Sequence, residues 1–361
     1  MMAVFKRFIS GVCAATLVAG LTVSAATAQE PDTQPESIWS HDLSGLMLPA
    51  TLAGFERGQS KQFDKDGYNV GVAFKDDASG SWADLFIYRA SPASVPIWGD
   101  RAVAGMFANP VLGEVDVDAV RIMPFTPPNN AGEKSGLKVL APLQNDLTAS
   151  GLAMYMHDGW LIKLRMTSRK LDIVALEARM ADFIAGLKLS PAARPAPTFV
   201  DILDCPTPLK PGKKARLIQL DMMGSIMLGA TLGAAHEEKA EADNQGDDSS
   251  ARDSVWCRDP ASQPQFGIYR RGADEDSYLI ALGDVGTSLA VGRYDLGPLM
   301  KPTRGYLVTQ SDGVTEQVYP PFDRLPLPGQ VLGLPGNVDA VFSAGLMPGN
   351  NTGTTIMVPG G

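Results

Sequence analysis

Residues 152–167 read LAMYMHDGWLIKLRMT. Asp158-Gly159 lies between two apolar runs at the spacing of a two-residue hairpin turn, whose central positions need the positive φ that these residue types tolerate. The turn fixes the register. His157 then faces Trp160, Tyr155 faces Ile162 and Ala153 faces Leu164 on one side of the sheet, while Met154, Met156, Leu161, Lys163 and Arg165 lie on the other. The first of these faces is expected to be the buried one. Directly afterwards Ile173, Leu176, Met180, Phe183, Ile184 and Leu187 recur at helical spacing, with Glu177 and Arg179 between them, and predict an amphipathic helix of about four turns.

Working outward toward the N-terminus, Tyr68, Val70, Val72 and Phe74 alternate with small or polar residues, and Ala83 to Arg89 is rich in aromatic and branched side chains. Both segments predict strands, with a turn around Asp76 to Gly80, and Gly136 to Leu143 predicts a third. Strands, a hairpin and a closing helix describe an α+β layer domain rather than an alternating parallel sheet. The order of Gly54-Phe55, Tyr68 to Phe74, Leu85-Phe86-Ile87-Tyr88, and Met154 to Arg165 with its following helix resembles the Mog1/PsbP-like α/β/α sandwich over Leu43 to Leu189. The resemblance implies an antiparallel sheet packed with helices and a role in binding a partner, since members of that fold are commonly accessory or assembly factors without chemistry. It carries over no functional residue.

Toward the C-terminus, Pro191, Pro195 and Pro197 mark a stiff linker over 191–198. A second, smaller α+β domain with β-hairpins is expected over 199–346. Met222 to Ala235 predicts a helix, Glu237 to Asp253 a mobile polar loop, and Tyr278 to Tyr294 and Tyr306 to Tyr319 two hairpins. The Gly- and Asn-rich tail 347–361 is expected to be disordered. The fold class expected for the whole is therefore α+β in two domains, 43–190 and 199–346.

The first 28 residues carry Lys6 and Arg7, then an uncharged apolar run, then Ala26 and Ala28 at the positions a signal peptidase requires. Cleavage is expected after Ala28, leaving a mobile N-terminus over 29–42. An uncleaved anchor is the competing reading, and it gives no reason for the small-residue exit. Cys13, preceded by Val12, lacks the small neighbour of a lipidated cysteine. Losing Lys6 and Arg7 moves the formal net charge from -9 to -11, with 29 basic against 40 acidic residues. That acidity disfavours nucleic acid and anionic lipid as partners. Roughly 330 residues remain, enough to favour two cores, and 45% of the chain is hydrophobic, which excludes wholesale disorder. Met222 to Ala235 is too short to span a bilayer, so no transmembrane segment is expected after cleavage and the location expected is periplasmic or secreted.

Cys205 and Cys257 are the cysteines left in the mature chain. In an oxidising compartment they are expected to pair, closing a loop of roughly 50 residues worth about 4 kcal/mol of unfolded-chain entropy. Two buried free thiols are the other reading.

No residue is assigned to catalysis, a cofactor or a metal. The three histidines, His41, His157 and His236, lie in unlike contexts far from one another. Met154, Met156 and His157 suggest soft copper ligands, but strand alternation puts His157 opposite the two methionines. Glu114, Asp116 and Asp118 would line one face of a strand, as a Ca²⁺ site or, more commonly, a solvated edge. Gly286-Thr287-Ser288-Leu289-Ala290 and the surroundings of Ser343 are imperfect relatives of a nucleophile elbow, and no Walker A or G-x-G-x-x-G pattern occurs. Trp256, Arg258, Tyr269 and Arg270 bring aromatic and guanidinium groups near the expected disulfide and form a candidate contact surface; a core Trp with a structural Arg–Asp pair is the plainer reading. Together these features predict a non-catalytic periplasmic binding or assembly factor, without cofactor, taking a protein or small-molecule ligand in the envelope. The alternative is a periplasmic hydrolase with its site in the second domain.

Overall fold

In the computed structural model the chain divides into two units, residues 1–34 and 35–361. The first lies outside the described residues, and the expected signal peptide with it. The structure describes residues 38–356 apart from 129, 131, 193–194, 211, 246–254, 273, 296–303 and 348–354.

The fold is mixed α and β, with strands predominating. It opens on β1 (Ile38–His41), paired antiparallel with β2 (Leu46–Pro49), so ordered structure begins ahead of the expected start at Leu43. β3 (Thr51–Leu52), β4 (Phe55–Gln62), β5 (Asn69–Asp76), β6 (Ser81–Tyr88), β7 (Arg121–Phe125), β8 (Gly136–Pro142), β9 (Ala149–His157) and β10 (Trp160–Ser168) form an antiparallel sheet in the order β3-β4-β5-β6-β10-β9-β8-β7. Asp158 and Gly159 take φ of 45° and 76°. The register of β9 on β10 is the one their turn predicts, His157 on Trp160 and Ala153 on Leu164.

Two helices sit on this sheet. α2 (Ile173–Ala185) begins where the Asp172 carboxylate accepts the amides of Val174 and Ala175, which would otherwise be left unpaired at a helix start. Its Leu176, Met180 and Phe183 pack on Phe55, Phe74, Leu85 and Leu164. α1 (Val95–Phe107) is capped by Ser94 and covers the opposite face. None of its residues is fully exposed: Trp98 and Ala102 are buried, and so is Arg101, whose guanidinium donates to the Gly283 and Pro264 carbonyls beside a second sheet.

That second sheet runs in chain order through β11 (Leu203–Asp204), β12 (Trp256–Arg258), β13 (Phe266–Arg271), β14 (Tyr278–Leu282), β15 (Ser288–Asp295), β16 (Arg304–Ser311), β17 (Thr315–Val318), β18 (Phe342–Gly345) and β19 (Thr355–Ile356). Pairing is antiparallel except between β11 and β12. α3 (Met222–Gln245) and the short α4 (Pro328–Leu332) accompany it. With nine strands it is no smaller than the first sheet.

Four further expectations change. The polar stretch from Glu237 begins as a continuation of α3 to Gln245; the remainder of the expected loop lies largely outside the described residues. In the tail, Thr355 and Ile356 pair with β18. Glu114 to Asp118 is not a strand: Asp116 caps a 3-10 turn at Val117–Ala119, so no row of carboxylates forms. The second face of the hairpin is covered as well: Met154, Leu161 and Lys163 are buried there, with Met156 and Arg165 half-buried. One apolar cluster explains the last: Trp98 and Met106 of α1 pack with Leu152 and Leu161 of the first sheet and with Tyr269, Leu279 and Ala281 of the second. The chain between the sheets is fastened too, Phe199 donating its amide to the Lys134 carbonyl at 2.8 Å.

Candidate functional site

The seam between the sheets consumes most of the charged groups a chemist would notice. Asp284, in the turn between β14 and β15, accepts from Lys163 at 3.0 Å and from Arg165. The Lys163 ammonium also reaches the Asp284 carbonyl at 3.1 Å and lies 4.6 Å from the centre of the Phe86 ring. Burial pulls this lysine down from 10.5 to about 8, with Asp284 opposing and Arg165 reinforcing the shift. Asp284 is pushed up by burial, but the two cations outweigh that and hold its carboxyl below the ordinary range.

Close backbone approach makes the contact possible. At Gly286, with φ of 89°, a Cβ would strike the Arg89 carbonyl, and at Gly313, with φ of 83°, it would come within 2.6 Å of the Ala90 nitrogen. Further along, Asp100 of α1 accepts from the Tyr269 hydroxyl at 2.6 Å and from Arg258 at 2.5 Å. Arg258 also reaches Asp204 at 2.8 Å.

These bonds correct the expected contact surface. Tyr269 and Arg270 are 0% and 1% exposed; Tyr269 is sealed under α1, and the Arg270 guanidinium faces buried Asp259 at 3.5 Å. Trp256 is half-buried beneath Arg271, and Arg258 alone of the four keeps a partly open, ion-paired head group. Cys205 and Cys257 stand at disulfide distance, 1.98 Å between sulfurs and 52 positions apart.

What remains open is a cleft on the α1 side of the first sheet, beyond the end of that helix. β6 presents Trp82 and Asp84 there, and β10 presents Thr167 and Arg165 directly opposite them. A hollow of about 90 Å³ is walled by these four residues together with Ser150, Met106 and Leu112. A wider one of about 350 Å³ adjoins it, lined by Asn145, Asp146 and Arg169. Trp82 lines both. Burial raises the Asp84 carboxyl, and nearby Arg165 opposes the rise. Among the described residues Asp84 makes no hydrogen bond or ion pair, and the Arg165 Nε–H is buried without a partner although the same guanidinium binds Asp284.

No family model matches the chain, and no curated protein matches it.

The other residues singled out from sequence do not converge. His41 is held between the Ser44 hydroxyl at 2.7 Å and the Gly67 carbonyl at 2.8 Å. His157 is buried 3.9 Å from the Asp158 carboxylate. His236 lies in α3, and its side chain is outside those described. Ser288 is buried on β15 and Ser343 half-buried on β18, and neither hydroxyl bonds a histidine among the described residues. Among the described residues, no three His, Cys, Asp or Glu side chains gather as a metal site would require. The cleft was missed in the sequence, although β6 signals it: Trp82, Asp84, Phe86 and Tyr88 alternate with apolar Ala83, Leu85 and Ile87, a second face too aromatic for plain solvent exposure.

Proposed function

We propose that this chain is an exported, non-catalytic binding or assembly factor of the bacterial envelope, and that its two sheets and intervening helix form a rigid platform for the cleft around Trp82. The reading rests on one observation. The buried charges at the seam are matched to each other, whereas Asp84 lines an open hollow beside Trp82 and Arg165 and, among the described residues, makes no hydrogen bond or ion pair. Partly exposed Trp and Arg beside uncommitted polar groups are the composition of a contact site. The cysteine pair at bonding distance is compatible with an oxidising compartment, and no helix among the described residues is long and apolar enough to cross a membrane. Placing the sheet of β3 to β10, with α1 and α2 on its two faces, among Mog1/PsbP-like sandwiches belongs to the same proposal.

Capture from a native envelope extract tests the reading, with the mature chain and its Trp82→Ala variant as baits. A partner or ligand retained by the first and lost by the second is expected. Hydrolysis of a generic ester, peptide or glycan substrate, abolished by replacing Ser288 or Ser343 alone, would establish the enzyme instead.

A further inference from the structure

We infer that the cleft around Trp82 binds a neutral saccharide, a ring or two long; the inference rests on the reading of that cleft as the binding site. Three features of the hollow point to this class of ligand.

Charge comes first. In the inner part Asp84 stands across from Arg165, and at the mouth Asp146 lies near Arg169, both of the latter exposed and free of ion pairs among the described residues. Each level holds one acid and one base. A site of balanced charge offers little to a net anion or cation, and suits a ligand that carries none.

Hydrogen-bonding capacity comes second. The Asp84 carboxylate can only accept when ionised, and the Arg165 guanidinium, whose side chain lines the same hollow, can only donate. They sit side by side on paired strands, with the Ser150 and Thr167 hydroxyls, 3.0 Å apart, on the same wall. A hydroxyl donates one bond and accepts others, so neighbouring hydroxyls on a ring satisfy an acid and a base together. A ligand with acceptors only, or donors only, leaves one of these two half-buried groups unpaired, which is the costly outcome.

Shape comes third. Trp82 lines both hollows, and among the described residues its ring stacks on no other aromatic group and its Nε1–H bonds no acceptor. A half-buried indole, packed on one side against the apolar cluster around α1 and lining both recesses, is an apolar platform for the C–H face of a pyranose whose hydroxyls reach either side. The combined space of the inner and outer hollows, about 90 and about 350 Å³, falls within the range of small-molecule sites.

Saturation-transfer NMR and calorimetry on the mature chain test this with glucose, galactose, N-acetylglucosamine and their β-linked disaccharides as probes. At least one probe is expected to bind and to place its ring protons against an indole. Asp84→Asn, which keeps the shape but exchanges an acceptor for a donor, is expected to weaken it about tenfold. Trp82→Ala is expected to abolish transfer, while Ile226→Ala on α3, remote from the cleft in sequence, leaves binding unchanged. Silence from every probe, or affinity unaffected by both cleft variants, overturns the saccharide. If the probes are silent but envelope capture still depends on Trp82, the platform reading survives alone; if that dependence is missing too, both fall.

Discussion

The two faces of the first sheet are buried by different physics. Against α2, Phe55, Phe74, Leu85, Leu164 and Phe183 interlock in an apolar centre, where the rings of Phe55 and Phe74 meet Phe183 edge-on at 5.9 and 4.9 Å, and the ion pairs of this face, Arg179 with Asp76 and Glu177 with Lys138, lie outside that cluster. Against α1 and the second sheet, the same strands carry Asp84, Lys163, Arg165, Ser150 and Thr167. The first face is stabilised wherever apolar area leaves water. The second is tolerated only because Asp284 arrives from a turn more than 100 positions away, and where no such partner arrives a cleft is left. A buried charge therefore marks either a seam or a site, and its partner tells which.

The sharpest break of that contrast is Phe183→Ala. It removes the ring shared by both edge-on pairs and is expected to cost about 4 kcal/mol, seen as a lower denaturant midpoint at unchanged slope. Next, Asp284→Ala leaves the buried Lys163 ammonium and the half-buried Arg165 guanidinium beside it without their shared carboxylate, and is expected to cost about 3 kcal/mol. Adding Lys163→Met to that variant should recover part of the loss, since an apolar chain of similar length needs no counter-ion; a double variant as unstable as the single one would show the seam to be held by packing alone.

A milder probe is pH. Because the folded chain holds Lys163 down to about 8 against 10.5 unfolded, it binds fewer protons than the unfolded chain between those values. This group's contribution to stability therefore rises as pH climbs through that window and is least favourable below it. Urea midpoints at both ends of the window should diverge between the native protein and Lys163→Met, and parallel pH profiles would remove Lys163 from the account. The smallest expected effect belongs to the readable face: Asp172→Ala uncaps α2 and should cost about 1 kcal/mol, measured in the same titration.

How far the sequence could be followed depends on where each residue's partner lies. The β9–β10 register was legible because Asp158-Gly159 is a local device, and α2 because its apolar stripe repeats within itself. α1 was not legible. Its less buried stripe, Pro96, Asp100, Val103, Ala104 and Phe107, is apolar apart from Asp100, so the sequence shows no polar face to mark the helical period. The contact residues were hidden as well: Tyr269 and Arg270 have the composition of a surface and the burial of a core.

By itself, then, the sequence determined strands β5, β6, β8 to β10 and β14 to β17, the β9–β10 register, the closing helix and the pairing of Cys205 with Cys257, all features whose causes are local or whose candidates are few. Tertiary structure alone decided that the second face of the first sheet would be covered, that Asp284 would meet Lys163 and Arg165, and that Asp84 and Trp82 would be left lining a hollow. The physical reason is range. A turn or a helical stripe is set by neighbours a few positions apart, whereas a charge takes its meaning from whichever distant segment comes to rest beside it.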